Sequence, residues 1–382
     1  MSFFNVKDKE ILISSVLQSF NLDSLCKLEK SLNFNIDKII GELNLDLNAK
    51  IIFYVNGYYY CSLNIPKEIV LVNFEKYDLS ILNCLKSFVS VNYKNFFLNS
   101  LLFNEGCFLY FPSNIVINGP IFIINVFDSF SLDSFVCLNN IYVLENMVNL
   151  KIMEYCVNFP KNLLVNKSNF FLLKEKSKLE FCFLNRLNLL NNCFLSFSSI
   201  QEKSSVFNAE VHNFSNNSCY SNFNFDLFGR ESFLDLKISR MVKLNFVDEM
   251  NVFVNHLVKS SKSNINFKGL ACSDSKISFK GRINVAKYSS KTDSFLKCDG
   301  LLLNNNSSID LYPELCIENN DVKCQHGATV GSISEYVLYY MSTRGLSEVD
   351  SINLIINSFL ISCMNYEGCF FSILNKVLLE EF

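Results

Sequence analysis

The residues best suited to chemistry in this 382-residue chain are Cys324 and His326. Two positions apart on an extended strand, both side chains leave the same face, with their Cα atoms roughly 6 to 7 Å apart. A thiolate and a neutral imidazole both bind iron. Two ligands do not complete a metal site, so by spacing alone a hydrogen-bonded histidine beside a packed cysteine competes with a metal-binding pair. The same residue types act as nucleophile and base in cysteine hydrolases. That chemistry needs the imidazole aimed at the sulfur, whereas neighbours on one strand face point in parallel. His212 and His256, the remaining histidines, fit local hydrogen bonding at strand ends better than metal binding. Neither G-x-x-x-x-G-K-[ST] nor G-x-G-x-x-G occurs, so the chain is not expected to hydrolyse ATP itself.

Composition narrows the classes further. Lys+Arg 34 against Asp+Glu 37 leaves a net charge of −3, which provides no basic field for nucleic acid or anionic lipid. With 49% hydrophobic and 19% charged residues the chain is too apolar to be disordered. The 15 cysteines are odd in number, form no C-x-x-C pair and sit in apolar alternations, as at Cys61, Cys107, Cys137 and Cys182. They read as reduced, packed thiols. No secretory leader and no apolar run of 18 residues is visible, so a cytoplasmic protein without a membrane span is expected. Phe 38 beside Trp 0 and only five arginines points to codon bias, which makes each surviving Arg informative. Glycine is scarce, and Asn is expected at the left-handed turn positions in its place.

The elements that must hold Cys324 and His326 follow from periodicity. Ile11, Leu17, Phe20, Leu25, Leu28 and Leu32 have helical spacing, as do Leu79, Leu82, Leu85 and Val89. Between them, Ile51–Val55, an Asn56-Gly57 turn and Tyr58–Leu63 read as a hairpin. From Gly106 to Ile317 short apolar alternations follow one another without helical spacing, which suits a sandwich, a barrel or, best, a β-solenoid. A helix is expected over Ser334–Arg344, closed by Gly345. Ser347 and Asp350 form a capping box for a second, striped by Ile352, Ile355, Ile356, Phe359 and Cys363. Phe370, Leu374, Val377 and Leu378 stripe a third. The division is a mixed or helical region over 1–104, a β-solenoid core over 105–325 and a helical domain over 326–382.

Around the C-x-H pair stand Pro313-Glu314-Leu315, Asp321-Val322-Lys323-Cys324, His326-Gly327-Ala328-Thr329-Val330-Gly331, Tyr339-Tyr340 and Ser342 through Gly345. Upstream come Phe267-Lys268-Gly269, Phe279-Lys280-Gly281-Arg282-Ile283, Lys291-Thr292-Asp293 and Leu301-Leu302-Leu303-Asn304. In this order they resemble the SufB/SufD family of iron-sulfur cluster assembly scaffolds. The likeness is strong from about Gly229 to Phe359 and collinear before it. Thr292 and Ser307 stand where SufB-like chains carry cysteine, and Gly327 follows His326 where they carry glutamate, so the chain is most similar to SufD. His256 also resembles a family position.

The resemblance implies a mainly β fold: a right-handed parallel β-helix flanked by a small N-terminal helical region and a C-terminal helical domain. It implies a scaffold rather than an enzyme, pairing with a SufB-like paralogue and docking a SufC-like ATPase. His326 would lie at the paralogue interface and receive iron or a transient iron-sulfur cluster, with Cys324 beside it. Tyr339, Tyr340, Arg344 and Gly345 would belong to the ATPase-docking region, although Arg344 also suits the negative end of its helix dipole. A flavin has been associated with such complexes, and no residues here identify its site. A SufB-like or homodimeric scaffold is the alternative. A β-helical hydrolase is disfavoured because no paired carboxylates stand out.

Overall fold

The computed structural model describes residues 26–27, 40–41, 45, 48–73, 105–365 except 114, 128–133, 159–162, 187–191 and 215–216, and 370–380. The helical spacings expected over Ile11–Leu32 and Leu79–Val89 lie outside the described residues. Its first strands are β1 (Cys26–Lys27), β2 (Lys50–Val55), β3 (Tyr58–Leu63), β4 (Val70–Asn73), β5 (Glu105–Phe111), β6 (Ile121–Phe127) and β7 (Ser134–Leu144). There follow β8 (Asn149–Asn158), β9 (Leu163–Leu173), β10 (Lys178–Arg186), β11 (Asn192–Gln201), β12 (Val206–Asn213), β13 (Ser218–Leu227) and β14 (Phe233–Val242). The series ends with β15 (Val247–His256), β16 (Lys262–Ala271), β17 (Lys276–Val285), β18 (Thr292–Leu302), β19 (Ser308–Ile317) and β20 (Val322–Ser332).

From β5 onward the chain alternates between two sheets, and each strand pairs in parallel with the strand two further on. The result is a parallel β-solenoid with repeats of roughly 30 residues. Its start is turned back on itself: β3 pairs antiparallel with β2, and β4 antiparallel with β5. Asn56 and Gly57, at φ 54° and 90°, make the expected turn of that first hairpin. At the other end β19 and β20 are the last strands of their sheets among the described residues, which place no further coil beyond them.

Two-residue alternation builds the core. In β13 the inward row is Cys219, Ser221, Phe223, Phe225 and Leu227, all buried, while the intervening residues stay half-exposed. Because coils stack in register, Phe197 stacks on Phe223 at 4.6 Å ring to ring, and across the two sheets Phe267 lies 4.1 Å from Phe279. The abundance of Phe thus has a structural use, since large flat side chains fill the space between two facing sheets. Cys107, Cys137 and Cys182 are buried and Cys61 half-buried, as packed thiols should be.

At the solenoid corners the expected asparagines are not the left-handed residues. Those positions are Met147, Lys176, Ser204, Glu231, Ser260 and Lys291 at one corner, with Leu244 and Ser273 at the other, whereas Asn56 and Asn64 serve only the opening hairpin. The cost of about 1 kcal/mol per residue is offset by a ladder. Met147 donates to the Glu175 carbonyl, Lys176 to Lys203 and Ser204 to Arg230, each at 2.8–3.0 Å. One residue on, Ser177, Ser205 and Ser232 each return a hydroxyl to a corner carbonyl at 2.7 Å. The stacked corner, not the intrinsic preference of one residue, determines the backbone there. Gly229 is required for a separate reason, close approach of the backbone: a Cβ would fall 2.0 Å from the backbone of Glu202 and Lys203.

Three helices follow: α1 (Glu335–Ser342), α2 (Glu348–Ile361) and α3 (Phe371–Glu380). Gly345, at φ 89°, closes α1; its N–H reaches the Ser342 carbonyl and that of Leu346 reaches Met341. Ser347 caps α2 by accepting from the Asp350 N–H at 3.1 Å. Instead of closing the solenoid's open end, α2 and α3 run back along the outer face of the even-numbered sheet. Ile356, Leu360, Met364, Phe370, Leu374 and Leu378 are buried against a row from Leu270 and Met241 back to Phe122 and Phe53. The Cys363 thiol donates to the Ile238 and Asn266 carbonyls at 3.4 Å, pinning the turn after α2 to β14 and β16. By contrast α1 buries no residue. Among the described residues no helix is long and apolar enough to cross a membrane.

Candidate functional site

Strand β20 carries both candidate ligands, with Cys324 opposite Ser294 and His326 opposite Leu296 on β18. Sharing parity, both belong to the row that in earlier coils points inward. Lacking a following coil, that row is only partly covered: Cys324 is half-buried against the end of the core and His326 is exposed. Beside them lies an open depression of about 530 Å³, lined by Phe295, Asp299, Leu315, Cys324, His326 and Thr329 among others. Burial, and then the Asp293 carboxylate, push the Cys324 thiol above the ordinary cysteine value, so a metal ion must displace its proton on binding.

Asp299 organises the floor of this depression. It accepts from Thr329 Oγ1 at 2.7 Å and pairs with Lys297 at 3.2 Å and, more distantly, with Lys268 at 3.9 Å. No group of three or more His, Cys, Asp or Glu side chains is placed to hold a metal among the described residues. The site therefore presents at most two ligands in an open pocket, and a complete coordination sphere needs donors from elsewhere.

The other histidines lie where local hydrogen bonding was expected. His256 is the last residue of β15 and faces inward, its ring nitrogens 2.8 Å from Ser261 Oγ and 2.9 Å from Ser263 Oγ. Burial depresses its pKa to about 4, so it is neutral. His212, at the end of β12, pairs with Glu210 at 3.3 Å beneath the segment joining α2 to α3.

Tyr339 and Tyr340 stand exposed on α1 with Tyr336 and Val337, and Arg344 lies 5.2 Å over the Tyr340 ring. Gly345 shapes the turn and touches nothing that a Cβ would meet. The C-x-H pair and the tyrosines thus occupy separate elements, a strand edge and an unpacked helix. Sequence reasoning missed Asp299 and two wholly buried ion pairs inside the solenoid, Glu154–Lys167 at 2.6 Å and Arg240–Asp248 at 3.4 Å. The scarcity of arginine was the available signal for the second pair.

The fold and the exposed C-x-H edge define a parallel β-solenoid with helices laid back on one sheet and one open end. Residues 129–359, well over half of the chain, match the family described as "SUF system FeS cluster assembly, SufBD core domain". The chain belongs to this family. It is 32% identical over 133 residues to the iron-sulfur cluster assembly protein SufD of Escherichia coli (strain K12), covering 35% of this chain and 31% of that protein. It is 36% identical over 104 residues to a SufBD family protein of Mycobacterium leprae (strain TN), covering 27% of this chain and 12% of that one. A SufBD family protein of Galdieria sulphuraria matches at 32% over 104 residues, 27% of this chain and 47% of the relative. In each case the match spans less than half of the relative's length.

Proposed function

We propose that this chain is a non-catalytic, SufD-like scaffold subunit of the cytoplasm that pairs with a SufB-like paralogue and docks a SufC-like ATPase. In this reading His326, with Cys324 beside it, receives iron or a nascent iron-sulfur cluster as cargo. The observation that carries the proposal is the C-x-H pair, held on the last strand of an open-ended solenoid with too few neighbours to bind a metal alone. An uncovered strand edge is a template for a second chain, whose own edge would continue the sheet and bring the missing donors. The exposed aromatic face of α1, where Tyr336, Tyr339 and Tyr340 are 77%, 68% and 52% accessible, supports a second docking surface for the ATPase. Arg344, stacked on Tyr340, and Gly345 shape the end of that surface.

Anaerobic co-expression with SufB-like and SufC-like partners, followed by cluster reconstitution on wild type and His326→Ala, tests this reading through visible absorption. The expected result is that both versions assemble a ternary complex and the alanine variant loses most of its cluster absorption. Equal absorption in the two removes His326 as a ligand. Failure to bind either partner, with the chain sedimenting as a dimer of itself, replaces the heterodimer by a homodimeric scaffold.

A further inference from the structure

Midway along the solenoid, far in sequence from the C-x-H edge, the two sheets enclose a cluster that the scaffold role does not use. Arg240, inward on β14, heads the largest fully buried side chains among the described residues. Its guanidinium donates to Ser221 Oγ at 2.9 Å, to Asp248 Oδ2 at 3.4 Å and to Cys219 Sγ at 3.6 Å. Cys193 on β11 and Cys219 on β13 are register partners on neighbouring strands, and both are buried in the core between the sheets. Ser221 Oγ lies 3.5 Å from Cys219 Sγ. Two polar atoms of the cluster, Arg240 Nε and Asp248 Oδ1, are buried with no hydrogen-bond partner. Each of these two atoms is free to hydrogen-bond a small polar molecule.

Cys219 differs from the other buried thiols. Burial raises Cys107, Cys156 and Cys298 to about 12 and Cys272 and Cys363 to about 11. Cys219 is instead lowered and Cys193 raised, each first through the other, and Arg240 and Ser221 favour the Cys219 thiolate against its burial and the Asp248 carboxylate. A thiolate is the nucleophilic and oxidisable form of cysteine.

We propose that Cys193 and Cys219 form a dithiol site oxidised by hydrogen peroxide, with Cys219 as the attacking thiol and Cys193 as the resolving one. The Cys219 thiolate attacks one peroxide oxygen, the O–O bond breaks, and the departing hydroxide takes up a proton to leave as water, giving a sulfenic acid. Arg240 stabilises the thiolate and the departing oxygen, while Arg240 Nε and Asp248 Oδ1 supply the donor and acceptor that peroxide requires. The Cys193 sulfur then attacks Cys219 Sγ, the S–OH bond breaks, and hydroxide leaves as water with the Cys193 proton. Two thiols and one peroxide thus become one disulfide and two waters. Neighbouring strands lie about 4.8 Å apart, within the Cα separation of roughly 4.4–6.8 Å that a disulfide tolerates. Peroxide is little larger than water and reaches the cluster through local opening of a coil. The site is independent of partners and of cluster binding, so its failure leaves the scaffold reading untouched.

The test treats the reduced full chain with hydrogen peroxide, blocks remaining thiols with N-ethylmaleimide in denaturant, and maps non-reduced peptides by mass spectrometry. The expected product joins the Cys193 and Cys219 peptides. In Cys193→Ser the bridge disappears and dimedone labels Cys219 as the trapped sulfenic acid; in Cys219→Ser neither product forms. The proposal is overturned if both cysteines of the wild type are recovered as maleimide adducts under exposure that already oxidises the surface thiol of Cys316. The wild-type experiment alone decides the matter should either serine variant fail to fold.

Discussion

The middle and the open end of the solenoid obey the same two-residue alternation and behave oppositely. In β15 every inward residue is buried, down to His256. In β20 the corresponding row, Val322, Cys324, His326 and Ala328, is half-buried or exposed. The backbone geometry is shared; what differs is whether another coil follows. In the middle an inward polar residue must find partners inside the protein, as Lys167 finds Glu154 and Arg240 finds Asp248. At the end, the same orientation presents a thiol and an imidazole to whatever docks there. Position along the stack turns one side-chain direction into stability in one place and availability in the other.

Lys167→Ala breaks this comparison most strongly. Burial works against the Lys167 ammonium, but Glu154 beside it outweighs that and holds its pKa above the ordinary lysine value. Removing the lysine leaves Glu154 without its counter-charge, held by the amides of Asn125, Asn140 and Asn169, with an expected loss of about 3–5 kcal/mol, read from denaturant unfolding. Leu360→Ala attacks the layer laid over the even-numbered sheet. Because Leu360 is fully buried there, about 2–5 kcal/mol should be lost, with amide exchange rising in α2 and α3 and unchanged in β15.

His256 makes the comparison titratable. Its pKa falls from an ordinary 6.5 to about 4 in the folded protein, so the unfolded chain takes up the proton first. Stability from this residue is complete above about pH 6.5, declines as pH drops toward about 4 and is then exhausted, a span worth about 3 kcal/mol. His256→Gln should flatten the stability profile over that window; an unchanged slope would show that another group governs it. The smallest effect belongs to His326→Ala, whose exposed side chain should change stability by less than about 0.5 kcal/mol. A large loss of stability there would mean that the open end is part of the core after all.

Much of this architecture was legible in local pattern. The Asn56-Gly57 turn, the Gly345 closure, the Ser347 cap and the stripe of Phe370, Leu374 and Leu378 each depend on residues within one or two turns of chain, and each stands where expected. Cys324 and His326 do share a face, as their spacing required. The corners were not legible, because Met147, Lys176 and Glu231 adopt left-handed backbone only where the next corner's carbonyl receives their N–H or their neighbours are stacked above and below. The ion pair of Arg240 and Asp248 was hidden for a related reason: the residues sit on facing sheets, and no periodicity reports which inward positions meet.

By itself, then, the sequence determined the opening hairpin, the closure of α1 and the cap of α2, the two-residue alternation of the solenoid strands, and that two metal-binding residue types share one face. Those properties come from steric and hydrogen-bonding preferences of short segments. Only the tertiary structure decided that β20 ends its sheet among the described residues, that α2 and α3 fold back over one sheet while α1 stays bare, and that Cys193 and Cys219 become register partners beside Arg240. These depend on register between strands about 30 residues apart and on how many layers the chain stacks, which no local preference encodes.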